Sequence, residues 1–259
     1  MTIDRNVKDS KASGKSSRRP SGKPEQLVLF KQRGGKRRGA GRPPKGYRAG
    51  EPHKARPFLH ERYPVHVVLR VAPAVGSLRR LDAYRAVREA TLTAAMRGTI
   101  RIVHVSLQRT HLHMLVEAKD KSALASGMQG FQVSAAKHLN AAIGKARGGR
   151  RRRGAVFPDR YHAEIITSPT QARHTISYIL SNWRHHEEDR GELAHAKVDP
   201  FSSAIGFPDW AERADKAFLW KGPEGYDPLI VYQPKTWMLK DGWKKVGVIS
   251  YHEVPSSGH

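Results

Sequence analysis

Two apolar, β-branched runs lie almost back to back in the middle of the chain. Residues 100–108 contain RIVHVSLQ, residues 111–118 spell HLHMLVEA, and only Arg109-Thr110 separates them. Two strand-forming runs joined by two turn residues predict a β-hairpin. A lone hairpin is marginal in water, so this one must belong to a larger sheet. The flanking sequence supplies the other strands. VHVVLRV at 65–71 is rich in β-branched residues and is ended by Pro73 and Gly76, and HAEIITS at 162–168 has the same character. Helical spacing fills the gaps. Leu81, Tyr84, Val87, Leu92 and Ala95 recur at near-helical intervals within 78–97, and Leu124, Met128, Phe131, Ala135, Leu139 and Ala142 mark a long amphipathic helix. After Pro169 a further helix is predicted from about Gln171 to His186. Strand, helix, strand, strand, helix, strand is the ferredoxin-like, split βαβ order. The expected fold class is therefore α+β: an antiparallel four-stranded sheet with helices on one face and one added C-terminal helix.

The charge balance points to the partner. The 259 residues carry 47 Lys and Arg against 23 Asp and Glu, a formal net charge of +24. Such an excess implies a polyanion, with nucleic acid ahead of an anionic membrane surface. Residues 1–57 hold 17 of the basic residues and only 4 acidic ones, with frequent Ser, Gly and Pro. This stretch is too poor in apolar residues to offset chain entropy, and a disordered basic arm is expected. Within it lies GGKRRGAGRPPKG at 34–46. Gly41-Arg42-Pro43 in its basic setting resembles an AT-hook, an arm that lies in a minor groove; the alternative is a generic phosphate-binding tail. Arg37, Arg38, Arg42 and Lys45 are the candidate DNA contacts there. A second basic run, Arg147, Arg150, Arg151, Arg152 and Arg153, falls in the Gly-rich stretch 144–154 and is expected to touch phosphates.

Other classes fall away. No cysteine is present, which excludes disulfides, thiol chemistry and Cys-ligated zinc. No apolar run nears the roughly 20 residues of a membrane span, and the basic N-terminus lacks the apolar centre of a secretory signal. A cytoplasmic, nucleoid-associated protein is expected. The catalytic or binding domain should occupy 58–190. Residues 191–259, with Trp220, Trp237 and Trp243, form an extension that packs on the core or grips DNA; WMLKDGWKKVGVI at 237–249 predicts a short helical element.

The sharpest chemical signal is His111-Leu112-His113. Residues i and i+2 of a strand face the same way, so both imidazoles project together and Leu112 points opposite. Paired imidazoles can begin a divalent-metal site or simply sit on a sheet face. On the last helix Ala172, Ile176, Ile179, Leu180 and Trp183 share an apolar face. Tyr178 and Asn182 lie one turn apart and off that face, as a surface tyrosine and amide would, or as a nucleophile with a metal-directed carbonyl beside it. Tyr161 and Tyr63 are rival tyrosines without a helical Asn partner. His104 and His162 are expected to be ordinary sheet histidines, and His185 and His186 a solvated helix end.

The run THLHMLVEA followed by a helix bearing YILSN resembles the single-tyrosine HUH transposases (HUH for His, hydrophobe, His), above all those associated with REP elements. GGKRRGAGRPPK, KHLN at 137–140 and VFPDRYHAE at 156–164 extend the likeness over about 34–190, with weaker echoes in DPFSSAIGF at 199–207 and WMLKDGW at 237–243. The resemblance implies that His111 and His113 bind Mg²⁺ or Mn²⁺ and that Asn182 stands at the third ligand position. It implies that Tyr178 attacks single-stranded or hairpin DNA, leaving a 5′-phosphotyrosine and a free 3′-hydroxyl. The chain departs from many relatives after Asn182, where it runs on as Trp183-Arg184-His185-His186. A nickase of the replication-initiator or relaxase kind and a non-catalytic nucleic-acid-binding protein stay open at this point, as do monomer and homodimer.

Overall fold

The hairpin forms as its spacing predicts. Strand β2 (Arg101–Leu107) and strand β3 (His111–Glu117) are antiparallel, and the Gln108 amide donates to the His111 carbonyl across the turn. β3 also pairs with strand β1 (Val65–Arg70), which pairs in turn with strand β4 (His162–Ile165). The sheet order is β2-β3-β1-β4 with every neighbour antiparallel, the α+β architecture expected. The computed structural model describes residues 55–187, 198–214 and 226–255. All of these lie within one compact unit, Pro44–His259. Arg37, Arg38, Arg42, Lys45 and Trp220 fall outside the described residues.

The alternation of strand side chains divides the molecule into layers. Val65, Val67 and Leu69 of β1, Val105 and Leu107 of β2, and Leu112, Met114 and Val116 of β3 face helices α1 (Leu81–Arg97) and α2 (Lys121–Ala146). α2 begins where Asp120 accepts from the amides of Ser122 and Ala123, both at 2.8 Å. α1 ends at Gly98, whose φ of 64° suits a residue without a Cβ. The buried face of α1 differs from the one its large side chains suggest. Leu81 and Leu92 are exposed, whereas Ala83, Val87, Ala90 and Ala94 turn inward with Tyr84. Small residues let α1 approach α2 and the sheet closely, and periodicity judged on bulk overlooks them.

The opposite sheet face is covered as well. Helix α3 (Pro169–His185) lies over it with Leu115, Val103 and Ile166 beneath. Segments 198–214 and 226–255 share that cluster through Val198, Phe207, Trp210, Met238, Leu239, Trp243 and Ile249. Residues 237–249 form one irregular helical turn pair, Met238–Gly242 then Trp243–Val246. An ion pair anchors this layer: Arg79 donates twice to Asp199 at 2.9 Å, and the carboxylate is fully buried. The helices are thus on both faces of the sheet, α1 and α2 on one and α3 on the other.

Candidate active site

Three elements bring the candidate residues together, and each does so for a local reason. On β3, alternation turns His111, His113 and Leu115 toward α3 while Leu112 and Met114 enter the α1–α2 core. α3 is started firmly: Ser168 accepts from the Gln171 amide at 3.2 Å, Pro169 occupies the first turn, and Gln171 Oε1 accepts from the Thr167 amide at 2.9 Å. Gln171 also donates to Glu164 of β4 at 2.7 Å, tying the helix start to the sheet edge. Ala172, Ile176, Ile179, Leu180 and Trp183 are buried, as their spacing predicts.

The rings meet under the middle of α3. The His111 and His113 centroids are 4.7 Å apart, and the Tyr178 ring stands edge-on to His113 at 5.1 Å. Asn182, one turn on, is completely buried. This corrects the expectation that Tyr178 and Asn182 both sit off the packed side of α3: Tyr178 is half-buried, and Asn182 turns fully inward. A helix laid across a sheet hides polar residues beside its apolar stripe, which periodicity alone does not reveal. Both amide atoms of Asn182 and Nε2 of His113 are buried without a hydrogen-bond partner.

Burial sets the protonation states. It pushes His113 well below its ordinary range, with His66, His111 and His186 adding to the effect. His111 is pushed down to about 4 by burial, then by His186 and Arg70. Both rings are neutral at pH 7. Burial raises the Tyr178 hydroxyl, and the Asn182 amide, close by but outside hydrogen-bond geometry, offsets part of that rise, so the phenol keeps its proton. Beside the tyrosine opens a cavity of about 650 Å³, lined by His66, Glu164, Gln171, Arg173, Ser177 and Tyr178 among others.

The rival residues lie elsewhere. Tyr161 is buried in the α1–α2 core cluster, with the Arg56 guanidinium 3.7 Å above its ring. His104 packs on Phe207, and its Nδ1 is 3.3 Å from Ser203 Oγ. His162 is exposed. Tyr63 is half-buried near His60. His186 is exposed yet reaches toward His111, with centroids 6.1 Å apart. In the basic loop Arg152 is occupied by Asn140 Oδ1 at 2.7 Å and by the Gly154 carbonyl, while Arg147, Arg150, Arg151 and Arg153 are exposed. Gly144 lets this loop fold back: a Cβ there would lie 2.3 Å from the Arg150 carbonyl oxygen. Among the described residues, no group of three or more His, Asp and Glu is arranged to hold a metal by itself. One residue of the cluster went unforeseen: His66 of β1, buried, with Nε2 3.1 Å from His113 Nδ1. Its only sequence signal is a histidine within the apolar run at 65–69.

Residues 61–182 match the family model described as IS200-like transposases. That segment, a little under half of the chain, is similar to IS200-like transposases. The matched segment runs from just before β1 to Asn182 and contains His66, His111, His113, Tyr178 and Asn182. Two solved structures are similar. One is a REP-associated tyrosine transposase bound to a REP hairpin, 14% identical with a TM-score of 0.44, covering 70% of this chain and 100% of that one. The other is a transposase candidate from Deinococcus radiodurans R1, 11% identical with a TM-score of 0.33, covering 54% and 98%. No curated protein matches. No described helix is long and apolar enough to cross a membrane.

Proposed function

We propose that the domain cuts single-stranded DNA and rejoins it through Tyr178, using a divalent cation held by His111, His113 and Asn182. The observation that carries this is the set of unpartnered atoms beside the phenol. Buried polar groups are nearly always hydrogen-bonded, and an exception calls for a reason, of which an ion or a catalytic role is one. His113 Nε2 and the Asn182 amide are such groups, and they sit around Tyr178. The Asn182 amide oxygen, with phosphate and water oxygens, suits a hard cation such as Mg²⁺ or Mn²⁺, and the two neutral imidazoles would complete the shell as nitrogen ligands. When bound, that ion would neutralise charge on the scissile phosphate and favour the phenolate form of the nucleophile.

The chain's own groups account for the rest. The Tyr178 oxygen attacks phosphorus, forming one P–O bond as the bond to the 3′-oxygen breaks. The phenol proton leaves, the 3′-oxygen ends as a hydroxyl, and the 5′-phosphate stays on Tyr178. Bond for bond the exchange is balanced, so a new 3′-hydroxyl can reverse it without hydrolysis. Half-burial holds Tyr178 in one orientation, and the cavity at its side gives the strand an approach. The net charge of +24 and the exposed arginines at 147, 150, 151 and 153 supply phosphate attraction, and the N-terminal Arg37, Arg38, Arg42 and Lys45 would add to it. The REP hairpin bound by the similar structure makes hairpin-forming repeats the first substrates to try.

The test is a denaturing gel after incubation with single-stranded oligonucleotides and Mg²⁺. A covalent protein–DNA adduct is expected, absent in Tyr178→Phe and absent with chelator. An adduct that survives in Tyr178→Phe and vanishes in Tyr161→Phe would overturn the assignment.

A further inference from the structure

The cluster contains a third imidazole that the proposed chemistry does not use. His66 lies on β1, opposite Leu115 in the β1–β3 register and Glu164 in the β1–β4 register, on the sheet face that α3 covers. It is buried, its ring stacks on His113 with centroids 5.3 Å apart and 23° between planes, and its edge meets Tyr178 at 6.2 Å. Its Nε2 is 3.1 Å from His113 Nδ1. The other nitrogen of His113, Nε2, is buried without a partner.

We infer that His66 is a positioning residue, which fixes the ring and tautomer of His113 so that Nε2 presents a bare lone pair to the site. A neutral imidazole carries one proton on one of its two nitrogens. In a hydrogen bond between His113 Nδ1 and His66 Nε2, one proton lies between two nitrogens. With that proton on His113 Nδ1, Nε2 of His113 can only accept or coordinate. With it on His66, neutral His113 would carry a proton on Nε2 and could hold no cation there. Partners of this kind orient metal-binding histidines and choose their tautomer. An imidazole is an uncommon partner, but the sheet register leaves it within reach: His66 and His113 come from adjacent strands and face one way. Without an acceptor at 66, the His113 ring can turn about its last torsion and exchange its two nitrogens. The inference rests on His113 being a ligand.

The experiment compares Mn²⁺ binding by electron paramagnetic resonance in the full chain with that of three variants. His113→Ala is expected to lose binding. His66→Phe, which keeps an aromatic ring and removes the acceptor, is expected to weaken binding roughly 10- to 100-fold. His66→Asn, whose carbonyl can accept from His113 Nδ1, is expected to recover part of that loss. Long-range ¹H–¹⁵N spectra of the unaltered chain are expected to place the His113 proton on Nδ1. If His66→Phe binds Mn²⁺ as well as the parent while His113→Ala does not, or if the proton resides on Nε2, the positioning role is overturned and the ligand role stands. If the parent and His113→Ala bind alike, the ligand role falls, and this inference with it. The spectra need no variant, so the outcome does not depend on how well any substitution folds.

Discussion

At the scale of single residues, the site holds polar groups that the fold does not satisfy. Asn182 is enclosed with neither amide atom bonded, a state that costs about 1–3 kcal/mol for each such group. Asn182→Leu, close in volume, is therefore expected to raise thermal stability by about 1–2 kcal/mol while abolishing the DNA adduct. Unfolding curves and the gel assay read the two effects separately, and a less stable variant would refute the first. Acid should act in the opposite direction. His104 is buried and is pushed down to about 4, first by burial, with Asp209 opposing. A histidine whose folded value lies below its unfolded one is neutral in the fold, so the unfolded chain binds more protons between about pH 6.5 and 4. Stability is complete above that window and falls as pH drops through it, with His104 alone contributing on the order of 3 kcal/mol. His111 and His113 carry the same sign. Melting temperatures at pH 7.5, 5.5 and 4.5 should decline in that order, and His104→Gln should flatten the trend. The His-x-His pair and the tyrosine are visible in sequence because strand and helix periods are local. His66 is not, since its meeting with His113 depends on how β1 and β3 slide past each other, and the burial of Asn182 depends on where α3 lands.

Elements repeat that division between local and long-range information. The hairpin announced itself through two turn residues, and the structure shows the starts of α2 and α3 fixed just as locally, by the capping side chains of Asp120 and Ser168. Ser168→Ala should lower stability by about 1 kcal/mol, measurable by denaturant titration, and should reduce adduct formation because the α3 start is tied to β4 through Gln171 and Glu164. No change in either would mean that packing alone fixes the helix. The inward face of α1 was legible only in part: Tyr84 and Val87 are buried, but the alanines beside them gain their meaning only from α2 lying against them. The same holds for α2, whose Gly144 makes sense only once the arginine loop is seen crossing it. Gly144→Ala is expected to destabilise by about 1–3 kcal/mol, since the new methyl meets main-chain atoms that cannot step aside.

Across the whole molecule, the sheet is filled from both sides, and the second layer is pinned by a buried charge pair. Removing one member leaves the other enclosed and alone, so Asp199→Ala should cost about 3–5 kcal/mol. Hydrogen exchange should then show 198–214 opening before the α1–α2 side; uniform loss would argue that both layers melt as one. The same layer grips α3 along its length. Arg173 bonds Glu253 and the Val248 carbonyl, Ser177 donates to Glu253, and Arg184 donates to the Tyr251 carbonyl at 2.9 Å. A gene cut short after the codon for Gly247 would still encode every histidine, amide and phenol named in the candidate active site. Its product would lack the bolts that hold the tyrosine helix, so an intact motif is no guarantee of a working copy.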